Sequence, residues 1–230
     1  MVMRSIGQII GDYDNPNSLG SKFRRRRSAP LREMIEAVHT EKGSVRILDV
    51  GGMEYYWDML GPDYLAQHKV TIDLLNLKDD IRPVKNPEFF RAIEGNGCDL
   101  PFPDNAYDIC HSNSVIEHVG NWHNKLSFAR ETTRVAPRYF HQTPNFWFPW
   151  EPHQSMAFYH WLPAPMQLWI ARHHRLGWAK TKAQTVTDGM WAVEHASMLD
   201  RTMVDSLFPN AKIIVEYFVG LPKSFVAMRA

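Results

Sequence analysis

Apolar residues fall three and four positions apart through residues 21–41, with Leu31, Met34, Ile35 and Val38 in step and Gly43 standing where the run would close. That period predicts an amphipathic helix. The pattern then changes. VRILDV at 45–50 is a short β-branched run that meets two glycines, which predicts a buried parallel strand entering a tight turn. KVTIDLLNL at 69–77 predicts a second buried strand, and 55–65 a helix broken near Gly61-Pro62. Residues 78–92, polar with two prolines, read as a loop with a short element, and AIEGNG at 92–97 as a third strand and its turn. A fourth strand is expected over Tyr107–Ser112, a helix over 122–135, and a fifth strand over 138–144, stopped by Pro144. Helical spacing returns at 165–175 and 197–207. AKIIVEYF and KSFVAMRA, joined by Val219-Gly220-Leu221-Pro222, predict a closing hairpin. Two stretches have no period: a turn-rich leader over 1–20 and an aromatic segment over 145–165.

Strands that alternate with helices demand a parallel sheet covered on both faces. The expectation is therefore an α/β, doubly wound, mostly parallel sheet of about seven strands with a C-terminal antiparallel hairpin. Residues 1–42 form a leader and helix, and 43–230 one domain with a cap insertion at about 145–195. Ligands of such sheets bind at the carboxyl ends of the strands.

Composition narrows the picture little. The chain has 230 residues, 44% hydrophobic and 22% charged, with net charge +1, so no global charge draws it to nucleic acid. Cys98 and Cys110 form no metal or redox spacing. No apolar run approaches the roughly 18 residues of a spanning helix, so a cytoplasmic protein is expected, with contact at a membrane surface left open. The eleven histidines show no metal-ligand spacing, and no metal is expected. The run Arg24–Arg27 is either a solvated helix face or a patch for phosphate or anionic lipid.

Three strand ends point to one nucleotide-like ligand. Asp49, Gly51 and Gly52 close the first strand, where glycine lets the backbone approach a ligand. Asp73 on the second strand can accept bonds from two ribose hydroxyls, with Asn76 as its rival. Asn96 and Gly97 in the third turn can read an adenine edge. In this order, ILDVGG, the Asp73 strand, EGNGCDLPFPDNAYDI and SNSVIEHV resemble the class I S-adenosylmethionine-dependent methyltransferases of the small-molecule type. The resemblance covers 43–144 well and 197–230 moderately. It implies S-adenosylmethionine as cofactor, Asp49, Gly51, Gly52 and Asn113 at its methionine end, Asp73 at the ribose, and Asn96 with Gly97 at the adenine. The loop Gly51-Gly52-Met53-Glu54-Tyr55 departs from the family's three alternating glycines, and Asn96 replaces its common Asp.

The aromatic segment would lie over the transferred methyl group. Trp147, Glu151 and His160 are candidates to bind the acceptor, and His153 and His118 to take its proton, histidine being suited to that near neutral pH. The acceptor is read as a small molecule or glycan methylated at oxygen. The alternatives are a lipid-linked or phosphorylated acceptor at a membrane surface, and a non-catalytic binding or scaffold protein.

Overall fold

A computed structural model of the protein describes residues 19–230 except Trp178 and Lys180, with side chains from Arg26 onward. The leader expected over 1–20 lies outside the described residues as far as 18. A seven-stranded sheet carries the fold, in the order β3-β2-β1-β4-β5-β9-β8. The first five strands, β1 (Val45–Val50), β2 (Val70–Asn76), β3 (Phe90–Glu94), β4 (Ile109–Asn113) and β5 (Arg138–Pro144), are parallel. β9 (Leu221–Arg229) is antiparallel to β5 and to its hairpin partner β8 (Lys212–Phe218). This is the doubly wound α/β architecture that the alternating pattern predicts.

Two apolar layers clamp the sheet. On one face, Leu31, Met34, Ile35 and Val38 of α1 (Leu19–Lys42) and Leu65 of α2 (Pro62–Gln67) pack on Ile47, Ile72 and Ile109. On the other, Phe128 and Ala129 of α3 (Trp122–Arg134) and Val204 and Leu207 of α6 (Arg201–Leu207) pack on Leu48, Cys110 and Tyr139. Burial of each such side chain stabilises the fold by about 1.5–3 kcal/mol. The α1 stripe is thus a wall of the same core. A cap follows β5. It consists of the short pair β6 (Trp150–Glu151) and β7 (Met156–Ala157), then α4 (Ala164–His173) and α5 (Val186–Glu194), around a small cluster of Tyr159, Ala171 and Leu176.

Several local expectations shift for physical reasons. The helix expected over 55–65 divides into a 3₁₀ turn, Glu54–Met59, and α2, because Gly61 sits at φ +80° and Pro62 opens the next helix. Tyr107 is not in the fourth strand; its N–H bonds to Val135 O and its hydroxyl to Asp73. The hairpin turn is only Val219-Gly220, both at positive φ, the twist that two-residue hairpins favour. Leu221 and Pro222 therefore belong to β9, with Pro222 opposite a bulge at Glu216/Tyr217, where its missing N–H is tolerated. The last helix begins at Arg201 and not 197, because the Asp200 side chain caps it by accepting from Met203 N–H. α5 had no counterpart in the pattern; Thr185 and Asp188 start it as a reciprocal capping box.

One core residue ties stability to pH. His141 on β5 is fully enclosed, bonded at Nδ1 to Ser112 Oγ (2.9 Å) and stacked on Tyr139, with Nε2 unpartnered. Burial, with help from His111, lowers its pKa to about 3. The folded chain thus holds His141 neutral, while the unfolded chain protonates it near pH 6.5. Its contribution is complete above pH 6.5 and is lost as pH falls. Between pH 7 and 5 the protein should lose about 2 kcal/mol from this group. Denaturation series at the two pH values check this, and His141→Phe should flatten the difference.

Candidate active site

A cavity of about 1220 Å³ opens at the carboxyl ends of β1, β4 and β5, between the sheet and the cap. Asp49, Gly51 and Gly52 form part of its floor, with Asn113 and His118 beside them and His153 on the cap side. That exceeds the roughly 300–1,000 Å³ of a cleft for one drug-sized ligand, so two molecules fit side by side.

The floor is built by a buried polar relay. Asp49, 1% exposed, accepts from Trp57 Nε1–H (2.8 Å) and lies 2.6 Å from His111 Nδ1. His111 Nε2 then takes the Tyr56 hydroxyl at 3.2 Å. Burial raises the pKa of that hydroxyl, opposed by Arg27 and helped by Asp49, so Tyr56 remains a neutral donor. Arg27 reaches from α1 to the cavity wall. It forks onto Glu216 of β8 (2.9 and 2.7 Å) and donates to Asn113 Oδ1. Glu216 is held below the usual carboxylate range: burial pushes it up, and Arg27 outweighs burial.

Gly51 turns the chain at φ +70°, with its N–H on Leu75 O. At Gly52 a Cβ would land 2.1 Å from Asp49 Oδ2, so the relay itself requires glycine there.

The ribose assignment changes. Asp73 lies mid-strand opposite Leu48, where Arg91 clasps it (2.9 and 2.6 Å) and the Tyr107 hydroxyl donates to it at 2.7 Å. It lines a shallower depression with Arg46 and not the large cavity. Asn76 ends this seven-residue strand, where its Nδ2 donates to Gly52 O at 2.9 Å, and it too is absent from the cavity wall. Asn96 and Gly97 are also absent from the cavity wall. The Asn96 side-chain oxygen closes its own turn onto Cys98 N–H, and Gly97 packs against Val50 and Phe128. The turn still abuts Asn76, whose carbonyl accepts from Gly95 N–H.

Of the acceptor candidates, only the two histidines line the cavity. His118 Nδ1 faces His195 O at 2.8 Å, and burial followed by the charge of His153 lowers its pKa. His153 Nδ1 faces Glu151 Oε1 at 2.6 Å; burial works to lower its pKa, but the bond and charge of Glu151 raise it on balance. Glu151 is buried and acts through His153. His160 bonds Phe146 O (2.7 Å) inside the cap, and Trp147 is 62% exposed beside Trp161. Neither lines the cavity.

Pattern reading missed several lining residues. Arg27 hid within a run of like charges, and its burial removes it from any surface patch; the side chains of Arg24 and Arg25 lie outside the described residues. Trp191 and His195 sit in and after the unforeseen α5, and Phe218 ends β8. Nothing in their spacing marks them.

Residues 62–138 match the family model described as a methyltransferase domain. The matched stretch is about a third of the chain. The domain match begins after the glycine turn, so Asp49–Gly52 stand on geometry alone. No curated protein matches the sequence. Among solved structures, the PH0226 protein from Pyrococcus horikoshii OT3 shares the fold at 14% identity and TM-score 0.53, covering 96% of this chain and 94% of that one. An O-methyltransferase family protein from Burkholderia thailandensis aligns at 12% identity and TM-score 0.47, over 98% and 67%. A match to a sarcosine dimethylglycine methyltransferase from Galdieria sulphuraria, at 20% identity and TM-score 0.34, covers 50% of this chain and 45% of that one, less than half its length. Among the described residues, no helix is long and apolar enough to cross a membrane.

Proposed function

We propose that this methyltransferase transfers a methyl group to a hydroxyl of a small-molecule or glycan acceptor held between the glycine turn and the cap. The observation that carries the reading is the pair of imidazoles, His118 and His153, in the same cavity wall as Gly51, Gly52 and Asn113. S-adenosylmethionine supplies an electrophilic methyl on a sulfonium. The donor set fits it: bare backbone at Gly51–Gly52, the Asn113 amide, and Asn76 at the end of β2 as the ribose contact.

The rest of the chemistry belongs to the chain. The acceptor oxygen must lie in line with the carbon–sulfur bond, and holding it there supplies several kcal/mol of the acceleration. Rings of Phe148, Trp150 and Phe218 wall the cavity, and such surfaces can stack on sugars. Both histidines carry their proton on Nδ1, fixed by a carbonyl and a carboxylate, so each turns a free Nε2 outward. That lone pair can accept the hydroxyl proton while the acceptor oxygen takes the methyl.

A panel of labelled-methyl assays with hydroxyl, amine and thiol acceptors, with calorimetric titration of the cofactor, tests the reading. Hydroxyl acceptors should be labelled. His153→Ala should lower turnover about 10²–10⁴-fold while leaving cofactor affinity near that of the wild type. Preference for amines or thiols would overturn the oxygen assignment, and equal loss of turnover and cofactor affinity would remove His153 from the acceptor side.

The revised ribose contact has its own check. Asn76→Ala should weaken S-adenosylmethionine binding several-fold, whereas Asp73→Asn should leave it unchanged and cost stability, because Arg91 and Tyr107 lose their shared carboxylate. Calorimetric titration of the two variants, with a denaturation curve for each, separates the effects.

A further inference from the structure

We propose that Glu117, His118 and His153 form a site for one divalent transition-metal cation of the zinc or manganese kind, set in the cavity wall. The proposal rests on the reading of this cavity as the acceptor site and names what would activate the hydroxyl there.

Four observations carry it. First, one carboxylate oxygen and two imidazole nitrogens of these residues lie within 4.8 Å of one another. Ligands at about 2.1 Å from a shared tetrahedral cation stand roughly 3.4 Å apart, a closure that small side-chain rotations supply. Second, Glu117 is incompletely bonded. It is 1% exposed; Thr143 Oγ1 donates to Oε2 at 3.0 Å, while Oε1 has no partner. A carboxylate oxygen shut away from water without a donor is costly, and a cation would offset that cost.

Third, both imidazoles are preset as ligands. His118 Nδ1 is fixed by His195 O and His153 Nδ1 by Glu151 Oε1, so each has Nε2 free. A ring whose second nitrogen is held by a carbonyl or carboxylate is the usual outer support of a metal-binding histidine. Lys125, the nearby ammonium, is spent on Gly120 O and does not bond Glu117. Fourth, the two histidines face the cavity while Glu117 lies behind them, so a bound cation keeps an open side toward the acceptor. Two imidazoles and one carboxylate suit zinc, manganese, cobalt or iron better than magnesium or calcium. Sequence spacing could not show the site, because His153 joins Glu117 and His118 only through the fold.

The cation and the metal-free base are alternative uses of the same two nitrogens, and metal binding decides between them. Untagged protein stripped with a chelator is titrated with Zn²⁺ by calorimetry and with Co²⁺ by visible absorption, without cofactor or acceptor. The expected result is one cation per chain at micromolar or tighter Kd, with a cobalt absorption band. Affinity should fall at least tenfold in Glu117→Gln and His153→Ala, and about 10–100-fold in Glu151→Gln, which removes only an outer support. Circular dichroism and S-adenosylmethionine titration establish that each variant is folded, and the isosteric Glu117→Gln keeps the test alive should His153→Ala unfold. No binding, or binding equal in wild type and variants, overturns the site. Hydroxyl methylation that persists in metal-free protein overturns the cation's role in activating the hydroxyl yet leaves the proposed function standing, whereas cation binding without methyl transfer supports the site and overturns the proposed function.

Discussion

Arg27→Met should lower unfolding stability by about 3–5 kcal/mol, the cost of leaving one member of a buried ion pair alone. The side chains of Arg27 and Glu216 are 6% and 9% exposed, and the fork between them fixes α1 to β8 across 189 residues of sequence. Without the guanidinium, Glu216 keeps the Ser224 hydroxyl and the more distant charge of Lys223, and Asn113 and Tyr56 lose a donor. Desolvation of the bare carboxylate dominates that sum. The double variant Arg27→Met/Glu216→Leu should therefore recover most of the loss, because well-packed apolar replacements of a buried pair are often neutral or stabilising. Urea denaturation of the three proteins measures it. A single variant within 1 kcal/mol of wild type would mean that the pair contributes no more than a surface salt bridge.

Gly52→Ala should abolish measurable S-adenosylmethionine binding and cost about 2–4 kcal/mol of stability, as expected when a buried hydrogen-bonded group is displaced. The added carbon would meet Asp49 Oδ2 at 2.1 Å, and the carboxylate cannot retreat without releasing Trp57 or His111. The floor of the cavity would rearrange around it. Gly43→Ala is the matched control. Unlike Gly52 it stands at positive φ (+76°), and nothing lies within 4 Å of its added Cβ, so only backbone strain of about 1–2 kcal/mol is expected, with cofactor affinity intact. Calorimetric titration beside thermal melts tells the two apart. Unchanged affinity in Gly52→Ala would place the cofactor away from this turn.

The fold was legible because its buried strands announce themselves. VRILDV and KVTIDLL have no other stable use than the middle of a parallel sheet, and the α1 stripe can face only that sheet. The site was legible where a strand ends in glycine, at Asp49–Gly52, and less so where only register decides. Asp73 and Asn76 share one apolar run, and three residues of strand length separate a mid-strand carboxylate from an amide at the strand end. The pairing of Leu75 with Val50 settles it, and no local pattern contains that pairing. The cap was the least legible part. Trp147, His160 and Trp161 are as aromatic as the lining residues Trp150 and Trp191, and which of them turn inward depends on how α4 and α5 pack. His118 and His153 could be named singly. Their shared neighbour Glu117 could not, since its free oxygen becomes evident only once Thr143 has taken the other.

The order of strands across the sheet also dictates an order in time. Vectorial synthesis delivers β1 to β5 first, and together they can form a parallel sheet with α1 and α3 against it. β8 emerges next with no place to dock, because its sole neighbour in the sheet is β9. Until residues 221–229 leave the ribosome, β5 stays an open edge and Arg27 waits in an apolar wall without its carboxylate. The nascent chain therefore carries an unpaired strand edge from the completion of β5 until β9 emerges. The last strand then ends both exposures in one step.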